Sequence, residues 1–129
     1  MNRPKAEIEG LLSLFREKLN DIKINQEVLT KNKIRIKFIG DIHLLKDPEL
    51  RVLLIDLMKA TETYDEYELN ICVAYSSTVE LKSALSNMPT DTSYENLHLD
   101  VPSSVDVVIR TSGEIRLSDF LMWQVKLRR

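Results

Sequence analysis

The run LNICVAY at residues 69–75 is nearly continuous in apolar and β-branched residues. A strand with one wet face alternates polar and apolar positions, whereas a strand covered on both faces does not, so this run calls for a central parallel strand between two layers. Parallel strands cannot be joined by a tight turn and need a crossover of a dozen or more residues, usually a helix. The preceding sequence supplies both parts. KIRIKFI at 33–39 alternates basic and apolar residues with period two, as a strand with one buried face does, and Gly40 and Asp41 end it. DPEL at 47–50 then reads as an N-cap followed by proline at the first helical position. Leu50, Leu53, Leu54, Leu57 and Met58 give that helix an apolar face, to about Thr63.

The same alternation continues to either side. From Pro4 to about Val28, the residues Ile8, Leu11, Leu12, Phe15, Leu19 and Ile22 recur at helical spacing, with Pro4 in the first turn and Glu7 near the helix N-terminus. A polar connection at 25–33 follows. Beyond the central run, Ser77 and Glu80 match the S-x-x-E capping box and open a helix carrying Leu81, Ala84, Leu85 and Met88, which Pro89 closes. Residues 90–104 read as loop, and Asp106 to Ile109 as a short β-branched strand. The order helix, strand, helix, strand, helix, strand predicts an α/β class with a mostly parallel central sheet flanked by helices. Without a repeat or linker, residues 1–129 form one domain, with three or four strands in the sheet.

Composition limits the partners. A formal charge of −2 gives no long-range attraction for nucleic acid or an anionic membrane, so anion recognition must come from a local cluster. A single cysteine, Cys72, excludes an internal disulfide, and its place in the apolar run reads as a buried, reduced thiol of an intracellular protein. No apolar stretch reaches the roughly 18 residues that span a bilayer, and the charged N-terminus does not read as a signal peptide. The expectation is a soluble or peripheral chain.

The local cluster is DVVIRTSGEIRLSDFLMWQ at 106–124. Arg110 would stand at the carboxyl end of a strand, where open α/β sheets bind ligands. Arg116 and the Ser118 hydroxyl return after a turn with Ser112 and Gly113, whose missing Cβ lets backbone N–H groups approach a ligand. Two guanidinium forks bracketing such a turn suit a diphosphate better than a single carboxylate. The plain alternative is that both arginines are solvated or paired with Glu114 and Asp119. Elsewhere, His43 reads as structural, His98 has no metal-ligand companions, Asp41 turns the chain, and Phe120 and Trp123 serve a core or a subunit interface.

The whole string resembles the C-terminal signature of the cis-prenyltransferases, the family of undecaprenyl and dehydrodolichyl diphosphate synthases, in its eukaryotic form. NRPKAEIEGLLSLFREKL at 2–19 looks like the family helix that helps line the product tunnel, and IKFIGDIHLL at 36–45 and LNICVAYSSTVEL at 69–81 resemble two further recurring segments. One position departs from the pattern: relatives usually carry arginine where this chain has Thr78. The resemblance implies that Arg110, Arg116 and Ser118 hold the diphosphate of isopentenyl diphosphate, with Ser112, Gly113 and Glu114 in support.

It further implies a transferase that condenses isopentenyl diphosphate onto an allylic diphosphate, with magnesium as cofactor, to make the long-chain polyprenyl diphosphates of the dolichol pathway. A homodimer, or a heteromer with a subunit of the Nogo-B receptor type, at the cytosolic face of the endoplasmic reticulum membrane would follow from the same likeness. The family's Asp-Gly-Asn-Arg motif, which holds the allylic diphosphate and the metal, would lie upstream of Met1, and the later strand and Arg-x-Gly segment beyond Arg129. Leu127, Arg128 and Arg129 lack the glycine of that last motif. The chain therefore reads as a partial cis-prenyltransferase domain that retains the isopentenyl diphosphate site, with no metal ligand of its own. The rivals are a non-catalytic subunit or inactive fragment of such an enzyme and, more remotely, a generic phosphate-binding α/β module.

Overall fold

The computed structural model describes residues 4–88, 99–101 and 105–126. In chain order they form α1 (Lys5–Ile24), α2 (Gln26–Lys31), β1 (Ile34–Ile39), a 3-10 turn (Ile42–Leu44), α3 (Pro48–Thr61), β2 (Tyr67–Cys72), α4 (Ser77–Ser86) and α5 (Met122–Lys126). The chain divides into two compact units. The first runs to Phe38 and resumes over His43–Ile71; the second comprises Ile39–Ile42 and the chain from Cys72 onward.

In the first unit β1 and β2 pair in parallel, joined by α3 as the crossover. At the start of the ladder Tyr67 N–H donates to Lys33 O at 3.4 Å. β1 behaves as its alternation predicts, with Ile36 and Phe38 buried and Lys37 turned outward to an ion pair with Glu68 at 2.6 Å. Ile36 and Phe38 have the opposite parity to Lys33, so their N–H groups point away from β2. α3 meets both: Ile36 N–H donates to Thr61 Oγ1 at 3.0 Å and Phe38 N–H to Met58 Sδ at 3.5 Å. Leu50, Leu53, Leu54 and Leu57 of α3 are buried, and Phe15 of α1 meets Phe38 edge-on with ring centroids 6.5 Å apart. The Asp47 cap forms as expected, its Oδ1 accepting from Leu50 N–H at 3.1 Å, while Oδ2 takes the guanidinium of Arg16 in α1.

Four expectations change. The first helix stops at Ile24, because Asn25 leaves helical geometry while both its backbone and side-chain nitrogens bond Asp21 O at 2.9 Å; α2 then fills the stretch expected to be a connection. Of the α1 apolar stripe only Leu19 is buried, and Ile8 and Leu11 are about half exposed, as is Leu14 outside the stripe. β2 begins two residues earlier than the apolar run and is half-buried at best, with Tyr67 and Leu69 exposed and Cys72 intermediate. Among the described residues β2 has a strand on one side only, so it does not stand as the central strand its composition suggests, and its partial exposure shows that its faces are not fully covered. Lastly, 106–109 forms no ladder with any described residue: Val107 and Ile109 are 73% and 86% exposed, and the described sheet has two strands rather than three or four. A strand exists through its partner's hydrogen bonds, and β-branched composition alone does not provide one.

In the second unit Val73 N–H bonds Ile39 O at 2.8 Å and Asp41 N–H bonds Ala74 O at 3.4 Å. Gly40, at φ 121°, lies so close to this crossing that a Cβ would stand 2.2 Å from Val73 O. That position requires glycine. Pro89, His98, Pro102 and Leu127–Arg129 lie outside the described residues.

Thr61→Val should destabilise the protein by about 1–3 kcal/mol, because it strands the buried Ile36 N–H that the hydroxyl now accepts. Urea denaturation of both forms would measure it, and equal midpoints would mean that this bond is dispensable.

Candidate functional site

Helix α4 opens on three hydroxyls, and each has its own work. Ser76 is the N-cap, its Oγ accepting from Val79 N–H at 3.4 Å. The S-x-x-E box expected of Ser77 and Glu80 is thus displaced by one residue, since Ser77 is already helical. Ser77 is fully buried, its Oγ accepting from Met122 N–H at 3.0 Å and its carbonyl from Trp123 Nε1 at 3.3 Å. Glu80 does not reach back to the cap. It is buried, and its carboxylate accepts from Tyr75 OH at 2.5 Å, Gln124 Nε2 at 2.9 Å and Val101 N–H at 3.0 Å. Three donors keep this buried charge solvated by protein. Burial and the Glu80 carboxylate push the Tyr75 phenol up to about 12. Burial also raises the Cys72 thiol, as expected of an unreactive group.

The third hydroxyl, Thr78, faces Asp119. Asp119 Oδ1 accepts from Thr78 N–H at 3.2 Å and from its Oγ1 at 3.1 Å, Oδ2 accepts from the Ser76 hydroxyl, and Asp119 O accepts from Ser77 N–H at 2.8 Å. These donors, the Ser76 hydroxyl first, hold the Asp119 carboxyl below the usual carboxylate range. A carboxylate at a helix N-terminus is also favoured by the helix dipole.

The expected anion residues lie just before this anchor. Arg110 Nη1 donates to the carbonyl of Arg116 and lies 3.3 Å from Ser118 Oγ. Arg110 and Ser118 line an open concavity of about 400 Å³ with Val108, Ile109, Thr111, Leu117 and Phe120. Arg116 does not line it; its guanidinium grips Glu114 through two contacts at 3.0 and 3.3 Å. The plain alternative therefore describes Arg116, and Asp119 serves the helix instead of an arginine. Ser112 and Gly113 both have positive φ, 70° and 67°, and form the turn without lining the concavity. Ser118 and Asp119 are left-handed as well, at 54° and 59°. Phe120 stacks edge-on with Tyr75 at 5.7 Å, and Trp123 is 38% exposed. His43 sits in the 3-10 turn and Asp41 in the strand crossing. Among the described residues no three His, Cys, Asp or Glu side chains come together to hold a metal. The spacing did not expose Glu80, Asp119, Ser77 or Gln124; S-x-x-E was the one signal near them.

A parallel β-α-β layer, with a turn that presents arginine and serine to a concavity with apolar walls, defines an α/β protein with a candidate anion site. The chain belongs to the undecaprenyl diphosphate synthase family of prenyltransferases, whose model matches residues 1–129. It is 37% identical over 136 residues to the dehydrodolichyl diphosphate synthase complex subunit DHDDS of Homo sapiens, covering 95% of this chain and 40% of that protein. It is 34% identical to the complex subunit SRT1 of Saccharomyces cerevisiae, again covering 40% of the relative. Among solved structures it resembles a probable undecaprenyl diphosphate synthase from Campylobacter jejuni, with a TM-score of 0.80 at 30% identity, covering 95% of this chain and 59% of that one. It also resembles lavandulyl diphosphate synthase from Lavandula x intermedia in complex with dimethylallyl diphosphate, with a TM-score of 0.81 at 25% identity, covering 99% and 60%. The chain thus spans about 40% of the length of these two curated relatives.

The Tyr75 hydroxyl is held protonated in the folded state, so its contribution to stability is complete below pH 10 and is lost as pH rises from 10 through about 12. Melting temperature followed across that window should fall less steeply for Tyr75→Phe than for the parent chain; parallel profiles would remove Tyr75 from this linkage.

Proposed function

We propose that this chain is the isopentenyl diphosphate-binding part of a cis-prenyltransferase that makes long-chain polyprenyl diphosphates for the dolichol pathway. One observation carries the reading. Arg110 and Ser118, eight residues apart, converge to 3.3 Å on one concavity whose remaining walls are largely apolar. A charged diphosphate joined to a small hydrocarbon needs that combination. The Arg110 fork and the Ser118 hydroxyl hold the diphosphate, while Val108, Ile109, Leu117 and Phe120 flank the isoprenyl carbons. Arg116 joins by exchanging Glu114 for phosphate oxygens. At 65% exposure its present ion pair is a weak competitor.

In the reaction so proposed, the allylic diphosphate loses its diphosphate group. The isopentenyl double bond forms the new carbon–carbon bond with the allylic carbon, and a proton leaves to give a cis double bond. The chain's contribution is placement: fixing one reactant by its anion converts part of the entropic barrier into binding. Magnesium, which the family resemblance implies, has no ligand cluster among the described residues, so the role given to this stretch is anion binding and orientation. The exposed Ile8, Leu11 and Leu14 of α1 suit contact with a growing hydrocarbon chain.

The names of the human and yeast relatives as complex subunits support assembly with a second chain, of the Nogo-B receptor type or another copy of this one. They also fit work at the cytosolic face of the endoplasmic reticulum membrane. No described helix is long and apolar enough to cross a membrane. The same names support a second reading, a non-catalytic subunit of such a complex.

Arg110→Ala in the active enzyme should lower kcat/KM for isopentenyl diphosphate about 10- to 100-fold, the cost of one or two charge-assisted hydrogen bonds, with a much smaller effect on the allylic substrate. Steady-state assays varying each substrate separately test this, and unchanged isopentenyl kinetics would remove Arg110 from the site.

A further inference from the structure

We propose that Asp119 is the positioning residue of the isopentenyl diphosphate turn, acting through Ser118 and locking it against the start of α4. This inference rests on the function proposed above. The hydroxyl that faces Arg110 belongs to a residue in the left-handed region, at φ 54°, and the next residue, Asp119, is also left-handed, at 59°. Serine does not adopt that conformation unaided, and two such residues in succession persist only where surrounding contacts over-determine them. On the Ser118 side, among the described residues, the hydroxyl's hydrogen-bond partner is an exposed guanidinium, too weak a hold to do so. On the Asp119 side four hydrogen bonds converge, two from Thr78, one from the Ser76 hydroxyl and one from Ser77 N–H to the Asp119 carbonyl. These donors come from one helix start that is itself fixed: Ser77 is fully buried and bonded to Met122 and Trp123.

The position of the Ser118 hydroxyl, and of the Arg116 carbonyl that Arg110 grips, is therefore set from α4 through Asp119, three of the four bonds falling on its carboxylate. Thr78 completes the lock with a backbone and a side-chain donor.

The test uses the active enzyme, with isopentenyl diphosphate titrated calorimetrically and KM and kcat measured for each substrate. Asp119→Ala should weaken isopentenyl diphosphate binding and raise its KM by about tenfold, roughly the value of one hydrogen bond to a charged group. Asp119→Asn, which keeps two acceptor lone pairs but loses the charge, should weaken it less, by about threefold. The KM for the allylic substrate should stay within about twofold for both, a split that general unfolding would not give. Thr78→Val should fall between the parent and Asp119→Ala, and the Thr78→Val/Asp119→Ala double variant should bind like Asp119→Ala alone, because the two act through one contact. Unchanged isopentenyl affinity in Asp119→Ala, while Arg110→Ala loses it, would overturn the positioning role alone. Equal losses for both substrates would do the same. Affinity unaffected by Arg110→Ala, or no binding by the parent, would overturn the site assignment and this inference together.

Discussion

The buried carboxylate of Glu80 is the contact on which the second unit depends. Burying an ionised group is costly unless its lone pairs are filled, and here a phenol, a side-chain amide and a backbone N–H fill them. Those donors come from either side of α4 in sequence: Tyr75 just before it, Val101 and Gln124 well after it. One charge therefore fixes where the chain must return after two long excursions. Once it has returned, Ser77 can bond Met122 and Trp123, and Asp119 can reach the helix start. The candidate diphosphate turn is held at the end of this sequence of contacts, and its own exposed ion pair contributes little to its shape.

The first unit is organised differently. Its core is apolar and built on α3, whose Leu50, Leu53, Leu54 and Leu57 are buried together with Ile36 and Phe38 of β1. Two α3 side chains also take the outward N–H groups of β1, so the helix supplies both the burial and the hydrogen bonds that its neighbour lacks. Chemistry-bearing side chains are instead concentrated in the second unit, where polar contacts replace apolar packing and the backbone takes left-handed conformations at Ser112, Ser118, Asp119 and Leu121. Such conformations recur where a loop must present particular groups to a ligand. The second unit has that character.

Legibility followed the range of the interaction. The Asp47 cap joins residues three apart, so its spacing revealed it. The β1 alternation reports which face meets the core, and that face is buried as read. Glu80 matched a local template and was taken for part of a cap, yet its partners Val101 and Gln124 lie 21 and 44 residues away. Asp119 read as a partner for the arginines because they are its neighbours in sequence, while its actual partner Thr78 is 41 residues distant. At 106–109 composition indicated a strand, but the described residues place no strand beside it.

By itself, the sequence determined the α/β class, the crossover between two parallel strands, the starts of α1, α3 and α4 to within a residue or two, and the family, because periodicity, capping and motif order are local properties of the chain. The tertiary structure decided which charges do which work. It gave Glu114 to Arg116, Asp119 to the start of α4, and Arg110 to the Arg116 carbonyl and the Ser118 hydroxyl. A charged side chain can serve any partner within reach, and only the folded backbone determines which partners those are.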